Sequence, residues 1–112
     1  MRLLINSTAC AYVGCAYEAT ENVVVFYYKY NGSGNNGRVK AATVSGNSFS
    51  FGSETNAFLN DSIGGGFDIC NVNDSTVAIC SGAGASYSTV QAITISGTTL
   101  TLGSKHTFNQ IA

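Results

Sequence analysis

The chain repeats itself. Val39 to Ser53 and Val90 to Ser104 agree at seven of fifteen positions at an offset of 51, and nearly all the rest exchange like for like. Upstream, Asn22-Val23-Val24-Val25-Phe26 faces Ser75-Thr76-Val77-Ala78-Ile79 at an offset of 53, the difference being two residues lost from the intervening Gly-rich loop. The starts correspond as well, Ile5-Asn6-Ser7-Thr8 against Leu59-Asn60-Asp61-Ser62. Two tandem copies, repeat 1 over 5–58 and repeat 2 over 59–112, therefore fill a chain of 112 residues, the size of a single domain. A unit this short cannot bury its own apolar face, so copies have to stack.

Each copy reads as strands. No window places apolar residues at i, i+3, i+4 and i+7, whereas Phe49-Ser50-Phe51 and Leu100-Thr101-Leu102 alternate with the period of a half-buried strand. Val23 to Tyr28 is apolar on both sides and predicts an inner strand covered on both faces by neighbouring sheets. Four strand signals run through repeat 1, near 11–18, 23–30, 38–44 and 48–55, and repeat 2 follows suit. Ser45-Gly46-Asn47 and Ser96-Gly97-Thr98 put Gly at the first central position of a two-residue turn, the signature of a type II′ hairpin. The expected fold class is all-β: two tandem four-stranded antiparallel blades of the β-propeller kind. Two blades cannot close a ring, and their uncovered apolar faces and edges predict a homo-oligomer, with three chains supplying six blades.

Composition narrows the function classes. Gly, Ser, Thr and Asn dominate, charged residues make up 10%, and the formal net charge is −1, so short polar side chains keep the surface wet. Arg2, Lys29, Arg38, Lys40 and Lys105 are scattered among six acids, which predicts no nucleic-acid partner, because phosphate binding needs clustered cations. No apolar run approaches the roughly 20 residues of a membrane-spanning helix, and no membrane partner is expected. The apolar start, Leu3-Leu4-Ile5, ends at Asn6 and is too short for a signal core, so it reads as mature protein. Four sequons, at Asn6, Asn31, Asn60 and Asn73, are what a chain rich in Asn, Ser and Thr produces by chance.

Cys10, Cys15, Cys70 and Cys80 lack the close pairs of a zinc site, and the single His106 stands apart from them. Buried thiols are the expectation, since free cysteine is among the most buried residue types. A first hairpin of repeat 2 turning around Ser75 sets Cys70 opposite Cys80, as Tyr17 would lie opposite Tyr27 in repeat 1. Facing Cβ atoms sit about 4.5 to 5.5 Å apart, wider than the mean of about 3.8 Å in a disulfide, which favours a reduced pair.

Ala16-Tyr17-Glu18, then Asn22-Val23-Val24-Val25, a Gly/Asn/Ser loop, and Val44 to Ser53 followed by Phe58 resemble a propeller-type repeat of bacteriophage tail-fibre and other virion proteins. The second copy carries the same frame through Phe67-Asp68, Asn73-Asp74-Ser75 and Ile95-Ser96-Gly97 to Phe108. The resemblance implies a non-enzymatic virion structural protein, a capsid decoration or tail-fibre component, located in the virion or extracellularly and contacting other virion proteins. The alternative is an oligomeric lectin-like module that binds a glycan.

Catalytic and cofactor signals are weak. Gly32-Ser33-Gly34-Asn35-Asn36-Gly37 is a literal GxGxxG after a strand, but dinucleotide binding needs a following helix and a β-prone run follows instead. No cofactor is expected. Glu21 and Asp74 occupy equivalent turns, which fits turn formation better than acid/base work, and His106, after the last strand signal, reads as a solvated polar position. In a propeller the loops between second and third strands and between blades share one rim. That places 31–37, 59–66 and 82–88 together, bordered by Tyr28, Tyr30, Asn35, Asn36, Arg38 and Tyr87. Tyr with Asn and small residues suits stacking on a sugar or adapting to a protein partner, so these six are the candidate ligand- or partner-binding residues.

Overall fold

In the computed structural model of the chain, residues 10–30, 37–57, 63–83 and 87–107 are described, and every regular element among them is a β-strand. The first copy contributes β1 (Cys10–Glu18), β2 (Val23–Tyr30), β3 (Gly37–Ser45), β4 (Ser48–Phe51) and β5 (Thr55–Ala57). The second contributes β6 (Ile63–Asn73), β7 (Thr76–Ala83), β8 (Tyr87–Ser96) and β9 (Thr99–Thr107). Each copy is its own antiparallel sheet, in the order β1-β2-β3-β4 with β5 also on β3, and β6-β7-β8-β9.

Local chemistry sets the chain reversals. Gly46 and Gly97 have φ of 58° and 59°, while Asn47 and Thr98 behind them stay at negative φ, the pattern of a type II′ turn. The first hairpins differ between the copies: Glu18 pairs with Val23 across four turn residues, but Asn73 pairs with Thr76 across two. Asn22 and Ser75, types that tolerate left-handed backbone in turns, close them at φ of 56° and 58°.

The fourth strand is interrupted at the same place in both copies. Ala42 pairs with Phe51 and Val39 with Thr55, so Gly52-Ser53-Glu54 stands opposite only Lys40 and Ala41. Ile93 pairs with Leu102 and Gln91 with Lys105, so Gly103-Ser104 stands opposite Ala92 alone. Each is a one-residue bulge at a repeated Gly-Ser, where the absent Cβ eases the bend. In the first copy the bulge splits the expected single strand into β4 and β5. In the second β9 runs on through it to Thr107 and carries exposed His106, which the sequence had placed beyond the last strand.

The sheets stack face to face around one core. Val23, Val25, Tyr27, Val39 and Ala41 from the first sheet meet Ile69, Val77, Ile79, Ile93, Ile95 and Leu100 from the second. β1 lies against β6, so both copies present corresponding strands to each other. The all-β expectation and the two antiparallel sheets are present. The central strand departs from expectation, however: β2 is covered by a second sheet on one face only, leaving Val24 and Phe26 half-buried. The thiols depart too, with Cys15 and Cys70 exposed and Cys80 half-buried, all three free.

Candidate binding rim and the outward sheet faces

The six rim residues fall into different environments. Tyr28 is fully buried, so it is not available for direct contact with a ligand; its hydroxyl donates to Glu54 Oε2. Arg38 lies beside it on β3, and its Nη1 meets Glu54 Oε1 at 2.7 Å, with the two side chains only 18% and 21% exposed. Glu54 comes from the segment between β4 and β5, so this acid ties the bulged edge back onto β2 and β3. Tyr30 ends β2 opposite Cys10, and Tyr87 opens β8 opposite Ala83; their side chains, and Asn35 and Asn36 altogether, lie outside the described residues. The rim loops are also shorter than the sequence suggests, because β6 takes in Gly64 to Gly66, β7 extends to Ala83 and β8 starts at Tyr87.

The opposite end carries a polar clamp that sequence reasoning missed. Glu18, 3% exposed at the end of β1, accepts the N–H groups of Thr20 (3.2 Å), Glu21 (2.7 Å) and, from the other copy, Ser75 (3.0 Å). The Glu21 N–H is the main influence holding the Glu18 carboxyl below its ordinary range; burial opposes it, and the Ser75 and Thr20 N–H groups and the Thr20 hydroxyl assist. Glu21 Oε1 accepts the Gly97 N–H at 2.7 Å, and its Oε2 accepts the Ser75 hydroxyl at 3.4 Å. Thr20 donates to Asp74 at 3.2 Å, and the Asn71 side-chain amide donates to the Tyr17 carbonyl. Gly52 fits here as well, because a Cβ on it would stand 2.6 Å from the Thr98 carbonyl oxygen. Acids three apart across a turn, Glu18 and Glu21, were the available signal.

Between these two ends lie the sheet faces that the core does not use. On the first sheet Phe26, Phe49 and Phe51 form one cluster with centroids 5.8 to 6.0 Å apart, and the Lys40 ammonium stands 5.4 Å over the Phe51 ring. Tyr17, Val44 and Phe49 are 54%, 42% and 40% exposed. On the second sheet Asp68, Cys70, Ala78, Cys80 and Val90 line a shallow apolar trough of about 200 Å³. Cys70 pairs with Ala78 and Cys80 with Asp68, so the two cysteines are diagonal neighbours and do not face each other; Tyr17 likewise pairs with Val24 and not Tyr27. Two shifts cause this: the turn centres on Asp74-Ser75, and a register shift between Asn71 and Asn73 skips Val72.

Among the described residues no three His, Cys, Asp or Glu side chains gather to hold a metal ion. No protein-family model, curated protein or solved structure matches the chain. The described residues offer structural acceptors at one end and apolar sheet surface between the ends.

Proposed function

We propose that this chain is a non-enzymatic structural protein of a bacteriophage particle, a capsid decoration or tail-fibre component that works by stacking sheets. The observation that carries the structural half is that each sheet has one face in the shared core and a second apolar face outside it. Soluble proteins that function alone cover such faces. The carboxylates support the same reading: Glu18 and Glu21 hold backbone N–H groups, and Glu54 holds Arg38 and Tyr28, which are the duties of a scaffold. The phage setting, in the virion or outside the cell beside other virion proteins, rests on the resemblance of the repeat to those of tail-fibre and virion proteins.

Particles purified from the source by density gradient test the setting. The chain is expected in the particle band in fixed ratio to the capsid protein; finding it only in the unassembled fraction removes the virion assignment. A glycan array tests the lectin alternative. Saturable binding to one sugar, lost in Arg38→Ala while the fold persists, would replace the structural reading with it.

A further inference from the structure

We infer that the two outward faces are the two halves of a head-to-tail interface between copies of this chain, the Phe26/Phe49/Phe51 face of one copy seated on the Cys70/Ala78/Cys80/Val90 trough of the next. The inference deepens the assembling-module reading and names its partner, a second copy.

It follows from which residues correspond between the copies. Val23 pairs with Thr43 and Thr76 with Thr94, which aligns β2 with β7 and β3 with β8. Tyr17 pairs with Val24 and Asn71 with Val77, which aligns β1 with β6. The core residues of the second sheet, Ile69, Val77, Ile79, Ile93, Ile95 and Leu100, then correspond to Cys15, Val24, Phe26, Ala42, Val44 and Phe49. All six lie on the outward face of the first sheet.

The converse holds as well. The first sheet's core residues Val23, Val25, Tyr27, Val39 and Ala41 correspond to Thr76, Ala78, Cys80, Val90 and Ala92 on the outward face of the second. The stacking inside one chain is thus heterologous, one kind of face on the other kind, and each outward face repeats a face that is already buried. A heterologous contact repeats until it closes into a ring or runs on as a fibre.

Aromatic bulk and charge bear on this partner. At the positions of core Tyr27 and Val25 the outward trough has the smaller Cys80 and Ala78, and at the positions of core Ile79 and Leu100 the first outward face has the larger Phe26 and Phe49. Lys40 stands on the aromatic face and Asp68 lines the trough, a cation on one and an acid on the other.

The test is the mass of the full chain in solution, by sedimentation equilibrium, for the wild type and for two single variants. Phe49→Asp places a charge on the first face and Ala92→Glu on the second; both sites are exposed, and circular dichroism checks that each variant stays folded. The wild type is expected as an oligomer, a trimer if six sheets close the ring. Each variant alone is expected as a monomer, and their equimolar mixture as a one-to-one dimer, because one intact face of each kind remains. A monomeric wild type, association that survives either change, or a mixture that stays monomeric would each overturn the interface. A wild-type monomer that is still found in particles sinks this interface and keeps the virion reading. A mixed dimer from a chain absent from particles does the reverse.

Discussion

At the scale of single residues, carboxylates and glycines carry the most specific duties. The Glu18 carboxyl is held below its ordinary range in the folded chain, chiefly by the Glu21 N–H. A group with a depressed folded pKa contributes stability above its unfolded pKa and loses it as pH falls through the folded value. Glu18→Gln, which keeps the shape and removes the charge, is therefore expected to lower Tm at neutral pH, with the gap from wild type closing as pH falls through and below the ordinary carboxylate range. Thermal melts across that range check it, and a gap that stays constant would mean that the charge plays no part. Glycine gives a second contrast. A Cβ at position 52 meets the Thr98 carbonyl oxygen at 2.6 Å, whereas at 103 the nearest atom, the Ala92 oxygen, is at 3.1 Å. Gly52→Ala should cost about 1 to 3 kcal/mol as an overpacked contact, and Gly103→Ala clearly less, in urea denaturation.

At the scale of elements, the bulge after β4 is fastened by one acid. Glu54 receives the Tyr28 hydroxyl, which is buried, and the Arg38 guanidinium at 2.7 Å. Removing a partner from a buried donor costs more than the bond contributes net, because the donor keeps its desolvation cost. Glu54→Ala should therefore destabilise by about 1 to 3 kcal/mol. Tyr28→Phe in that background should recover part of the loss, as a double-mutant cycle in urea would show. Purely additive effects would mean that the contact is incidental. The same triad places two of the six expected rim residues, Tyr28 and Arg38, in contact with Glu54 at this edge.

At the scale of the whole molecule, the inferred stacking has consequences for the thiols and the turn clamp. Cys70 and Cys80 lie in the trough that the next copy is inferred to cover, while Cys15 lies on the aromatic face. A thiol reagent should accordingly modify Cys70 more slowly in the wild type at high concentration than in Ala92→Glu, with peptide mapping assigning the site. Equal rates at all concentrations would count against the interface. The turn clamp bears on the same inference: Glu21 holds the Gly97 N–H within the chain, and under the inferred stacking the corresponding pair would be Asp74 with Gly46 of the next copy. Asp74→Ala should weaken self-association by about three- to tenfold, equivalent to one surface hydrogen bond to a charged acceptor.

Sequence alone determined the two copies, their strands and the turns at Gly46 and Gly97, because period-two alternation and the positive φ of a type II′ turn are short-range demands that individual residues announce. It also made uncovered apolar faces unavoidable, since two sheets can bury only one face each against the other. Which side chains stand on those faces was decided by the tertiary structure. One skipped residue, Val72, and a turn centred on Asp74-Ser75 set Cys70 opposite Ala78 and not Cys80, and nothing in the spacing of the cysteines records either shift. The burial of Tyr28 and the clamping of Ser75 and Gly97 by Glu18 and Glu21 likewise depend on partners 26 to 76 positions away along the chain. The Tyr28 contact arises once the first sheet has formed and the Glu18 and Glu21 contacts once the sheets have stacked, because no local preference brings such residues together.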